Sequence, residues 1–139
     1  MFRHIMVPVD LANTDRLARA LEVTADAARH YHARVTYVSA SNTAPTEVAD
    51  APDEFRRKLG TFAAGQAQEH GIEAEGHALI LPDARSDLDG ALVETAREVG
   101  ADLVIMASHD PGIVDHFWSS NGGAVARHSD ASVMLVRGD

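Results

Sequence analysis

Asp102-Leu103-Val104-Ile105-Met106-Ala107 decides the fold. An unbroken apolar run behind one acid is the pattern of a strand covered on both faces, as in parallel sheets. Ile5-Met6-Val7-Pro8-Val9 repeats that pattern near the start, and Val35 to Ala40 carries β-branched and aromatic residues suited to a second strand. Glu73 to Leu81, ended by Pro82, and Val133-Met134-Leu135-Val136 complete a set of five.

Helical stretches separate the strands. Leu17, Leu21, Thr24, Ala28 and Tyr31 step by three and four, so they share one helix face, and Asn13 or Thr14 suits its N-cap. After a loop over 41–51, Pro52-Asp53-Glu54 forms a favourable first turn. Phe55, Leu59 and Phe62 carry the stripe and Gly71 ends it. Ser86 with Asp89 predicts the next helix start; Leu88, Leu92, Ala96 and Val99 follow, and Gly100 stops it. Residues 108–120 read as irregular, and Asn121-Gly122-Gly123 opens a last short helix to about His128. The order βαβαβαβαβ predicts one domain over 1–139. Its fold class is a three-layer α/β/α sandwich on a five-stranded parallel sheet, with right-handed crossovers.

Composition narrows the function. The chain has 139 residues, 45% of them apolar, enough to bury a core without disulfides or metal. It has 21 acidic and 12 basic residues, a formal charge of −9, and its arginines are scattered. That balance disfavours nucleic acid and anionic membrane, which bind clustered Lys and Arg. No Cys means no thiolate chemistry. The opening apolar stretch is too short for a signal-peptide core, and no run approaches a membrane span, so the expectation is a soluble cytoplasmic protein. The eight histidines are dispersed, which predicts no metal site.

In doubly wound sheets, ligands bind beyond the carboxyl ends of the strands, where strand order reverses. Asp10 stands at one such end. It suits a ribose hydroxyl or an adenine amino group as well as it suits the positive end of a helix. His109 leaves the fourth strand and reads either as a ligand contact or as a solvated loop residue. Ser119-Ser120-Asn121-Gly122-Gly123 places hydroxyls and glycines at a helix start, where free N–H groups can meet an anion. The Walker A, G-x-G-x-x-G and G-x-S-x-G patterns are absent.

Three blocks together resemble the universal stress protein family: Ile5 to Asp10, Gly100 to His109, and Val125 to Arg137. The resemblance runs over essentially the whole chain. It implies sheet order 3-2-1-4-5 and a homodimer through Val133, Met134, Leu135 and Val136. Many relatives bind ATP through a G-x-x-G…G-[ST] signature, so it also implies a site for ATP or another adenine nucleotide, with or without Mg²⁺. Pro8, Val9 and Asp10 would face the adenine and ribose, and Val38 would line the adenine pocket. Met106 and His109 would line the cleft. Ser120 and Asn121 would offer donors to phosphate, with Gly122 beside them.

The signature glycines are replaced by Ala107, Asp110 and Ser119. A carboxylate about 5 Å from a phosphate costs about 3 kcal/mol at an effective dielectric of about 20, unless Asp110 shares a Mg²⁺ with it. The alternative is therefore a nucleotide-free dimeric stress-response protein acting by protein contact, its partner unspecified. Enzymatic phosphoryl transfer, at most a slow ATPase, is the weakest expectation, because the cleft offers no lysine or arginine to stabilise transition-state charge.

Overall fold

The computed structural model describes residues 1–82, 87–108 and 121–138. The strands are β1 His4–Pro8, β2 Arg34–Asn42, β3 Ala74–Leu81, β4 Leu103–Ser108 and β5 Ser132–Arg137. The α-helices are α1 Ala18–Tyr31, α2 Pro52–His70, α3 Leu88–Val99 and α4 Asn121–His128. A 3-10 segment, Leu11–Leu17, joins β1 to α1. All strand pairs are parallel, in the order β3-β2-β1-β4-β5.

Each sheet face has its own core. Ile5, Val7, Tyr37 and Ile105 pack with Leu17 and Leu21 of the first crossover and with Leu59 of α2. Met6, Val38, Val104 and Met106 pack with Leu92 and Ala96 of α3 and Val125 of α4. Alternation along each strand sends successive side chains to opposite faces, and helices cover both, so the central strands read as continuous apolar runs. The α2 helix approaches β3 closely: a Cβ on Gly76 would meet Leu59 Cγ at 2.8 Å.

The helix stripes are largely as expected. Leu17, Leu21, Thr24 and Ala28 are buried, as are Phe55, Leu59, Leu92 and Ala96. Phe62 meets Tyr37 edge-on, with centroids 5.3 Å apart. Gly71 and Gly100 end α2 and α3 in the left-handed region, at φ 63° and 76°.

Local corrections concern caps and strand ends. Neither Asn13 nor Thr14 caps α1: Asn13 lies inside the 3-10 segment at φ −137°, ψ 45°. Asp10 caps that segment instead, its carboxylate accepting from the Ala12 N–H at 3.0 Å. The carboxylate stands next to the first free N–H groups after β1 and is the stronger acceptor. Asp87, not Ser86, caps α3, accepting from the Gly90 N–H at 2.9 Å. β2 runs two residues past Ala40, into the expected loop, because β3 pairs with it as far as Asn42↔Leu81. β4 begins at Leu103, and the Asp102 carboxylate instead accepts from the backbone N–H groups of Arg3 and His4, at 3.0 and 3.1 Å.

Candidate functional site

The strand order reverses between β1 and β4, and the carboxyl edge is notched there. β1 ends at Pro8, level with Val38. β2 continues to Asn42, four residues further, a rise of roughly 13 Å at strand spacing. On the other side, Met6 is level with Val104, and β4 runs on to Ser108, two residues past the level of Pro8. Among the described residues, the end of β1 therefore forms the floor of a recess between longer strands.

Pro8 helps to open that recess. The Val9 N–H donates to the Val38 carbonyl at 2.8 Å, toward β2. Successive backbone nitrogens point to opposite sides, so that of Pro8 faces β4, and proline has no hydrogen to give. The β1–β4 register pairs are Ile5↔Leu103 and Met6↔Val104 and go no further. Proline at the last position of a central strand thus ends the ladder without burying an unpaired donor.

The floor is fixed from the β2 side. Ser39 Oγ, buried, donates to the Val9 carbonyl at 2.7 Å. Asp10 follows, half-buried. Its Oδ1 accepts from the Ala12 N–H, and its Oδ2 accepts from Asn13 Nδ2 at 2.8 Å. A carboxylate has about four acceptor positions, so two remain for hydroxyl or amino donors from outside.

The expected site residues divide into three groups. Pro8, Val9 and Asp10 form the floor. Val38 and Met106 are buried side chains of the second core, beneath the recess; Ala107, half-buried, stands one residue further along β4. Residues that rise above the floor are Ala40 and Asn42 on β2 and Ser108 on β4. His109, Asp110, Ser119 and Ser120 lie outside the described residues, while Asn121 and Gly122 open α4. Ser39 and Asn13 were missed as supports of Val9 and Asp10. The signal for Ser39 is a hydroxyl in an otherwise buried strand, which must find a partner. Among the described residues, no three His, Asp or Glu side chains are grouped to hold a metal ion.

On the far edge of the sheet, β5 pairs with β4. Its Met134 and Leu135 are 40% and 41% exposed, and among the described residues they are the large apolar side chains left in solvent apart from Met1. Val136 is buried in the first core and Val133 is half-buried. No helix among the described residues is long and apolar enough to cross a membrane.

A domain of this build belongs to the doubly wound parallel α/β class, in which the switch point is the usual place for a ligand. Residues 1–137 match the model of the universal stress protein family, and the chain belongs to that family. It is 43% identical over 44 residues to universal stress protein G of Shigella flexneri, a match covering 32% of this chain and 31% of that protein. The match thus spans about a third of that curated relative. Among solved structures, the fold is similar to a universal stress protein in complex with cAMP, at TM-score 0.69 and 20% identity over 99% of this chain and 98% of the other. It is also similar to the universal stress protein of Archaeoglobus fulgidus in complex with dAMP, at TM-score 0.68 and 21% identity over 96% of both chains.

Proposed function

We propose that residues 1–139 act as one regulatory domain that binds an adenine nucleotide in the recess at the ends of β1 and β4. The observation that carries this reading is Asp10: its carboxylate is oriented by Ala12 and Asn13 at the floor of the notch, with acceptor positions to spare. A ribose hydroxyl or adenine amino group supplies the missing donors. The start of α4, with Gly122 and Gly123, supplies free N–H groups for a phosphate. Family relatives of this fold hold cAMP and dAMP, which supports the ligand class.

In this reading the phosphates are held by N–H dipoles and by Mg²⁺ shared with Asp110, with His109, Ser119, Ser120 and Asn121 around them. The protein works in the cytoplasm, where adenine nucleotides abound, and reports occupancy through a homodimer formed along β5. Met134 and Leu135 support that surface, because an exposed apolar edge strand favours pairing with a second copy.

The test is calorimetric titration of ATP, ADP and AMP into the protein and its Asp10→Ala and Asp110→Gly variants. Asp10→Ala should weaken binding about tenfold. Asp110→Gly should remove the Mg²⁺ dependence. If the wild type takes up no nucleotide while Asp110→Gly does, the second reading stands, that of a nucleotide-free dimer acting by protein contact.

A further inference from the structure

The chain contains a single lysine, Lys58, and it faces a loop. The loop over 43–51 leaves the tall end of β2 and returns to α2. Lys58 lies in the second turn of α2, and its ammonium donates to the Val48 carbonyl. The same ammonium is 3.3 Å from Glu54 Oε1, one turn earlier on the helix. Glu54 Oε2 accepts from the Asp50 N–H at 3.0 Å. The Asp50 amide, then the Lys58 ammonium, hold the Glu54 carboxyl below its usual range.

One helical i,i+4 pair thus grips the loop at two backbone points, a carbonyl and an amide two residues on. Between them Ala49 is buried, though its neighbours are half-buried or exposed. Inside the loop, the Thr46 N–H donates to the Ala49 carbonyl at 2.8 Å, which closes the turn the pair holds. An ammonium suits this place, being a compact donor with three hydrogens that can serve a carbonyl and a carboxylate together.

The loop begins at the top of the higher wall of the recess, since β2 rises roughly 13 Å beyond the end of β1 before the loop leaves it. We infer that Glu54 and Lys58 form a clasp that positions the loop over 43–51 as the β2-side wall of the ligand recess. They are positioning residues that act on the ligand through the loop. The inference rests on the recess being the nucleotide site.

The test uses the full chain with K58M, K58R and E54Q variants. It reads three quantities: hydrogen exchange of the segment over 43–51, melting temperature, and the Kd for AMP with Mg²⁺. K58M and E54Q should speed exchange of the segment about tenfold and weaken AMP by about threefold to tenfold. The melting temperature should hardly move, since exposed ion pairs add little to global stability. K58R, which keeps the charge, should restore most of both effects. Unchanged exchange in K58M would overturn the clasp. Faster exchange with unchanged AMP affinity would overturn the loop's role as a wall. A wild type that takes up neither AMP nor ATP, ADP or cAMP, alongside faster exchange in K58M, would remove the nucleotide reading and the wall with it, leaving the clasp as a structural feature.

Discussion

Ser39 Oγ donates to the Val9 carbonyl at 2.7 Å, fastening the last residues of β1 to the strand beside it. The bond is buried and holds the residue that precedes Asp10. Ser39→Ala would leave the Val9 carbonyl without its hydroxyl partner, at a cost of about 1–3 kcal/mol. Urea unfolding should show the lower midpoint with an unchanged slope. AMP affinity should fall as well, because Asp10 follows Val9 in the chain. Wild-type affinity in a destabilised Ser39→Ala protein would separate the floor from the ligand.

Tyr37 makes the opposite case. Its ring is fully buried against Phe62, and its hydroxyl has no hydrogen-bond partner among the described residues. Burial pushes the phenol pKa up, so the group stays neutral throughout the working pH range. Removing an unpaired buried hydroxyl is neutral or stabilising, so Tyr37→Phe should keep or raise the melting temperature, by up to about 2 kcal/mol of stability. A clear fall would mean that the hydroxyl has a partner in solution.

His4 gives the fold a pH dependence. Its ring is buried, with Nε2 at 2.6 Å from Thr36 Oγ1. Burial, then the Arg34 charge, lower its pKa; the nearby Val99 backbone and the charges of Glu75 and Asp102 pull the other way. The unfolded chain therefore takes up a proton near pH 6.5 that the folded chain refuses. Stability from this group is full above pH 6.5 and declines as pH falls from there towards the lowered folded value. The difference in unfolding free energy between the wild type and His4→Val should shrink over that window. A difference that stays constant from pH 7.5 to 5 would contradict this.

Leu135, exposed on β5, tests the assembly. Leu135→Arg places a charge on each copy at the edge where two chains would pair, and should shift the protein towards monomer in multi-angle light scattering. A dimer of undiminished strength would move the interface away from β5.

Much of the fold was legible because burial on two faces leaves an unmistakable trace. The runs at Ile5–Val9 and Leu103–Ala107 marked central strands, and Gly71 and Gly100 marked helix ends through their left-handed φ. Caps were less legible, because Asp10 competes with Asn13, and Asp87 with Ser86, and only geometry selects between neighbouring acceptors. The place of Pro8 to Asp10 at the carboxyl end of β1, the floor of the candidate recess, was readable. Its walls were not, since the height of β2 over β1 is a matter of register, and register follows from pairing with β3. The Glu54–Lys58 pair has ordinary i,i+4 helical spacing, so nothing in the sequence shows that it reaches Val48 and Asp50.

The most direct test of nucleotide binding in the β1–β4 recess is a thermal-shift series with ATP, ADP, AMP and cAMP, each with and without Mg²⁺. Ligand at a hundred times its Kd adds about 2.7 kcal/mol, which for a domain of this size raises the melting temperature by about 8 °C. The account predicts such a rise with at least one adenine nucleotide, and a rise about half as large in Asp10→Ala at the same ligand concentration. No rise with any of them at millimolar concentration would contradict it and turn attention to the exposed edge of β5.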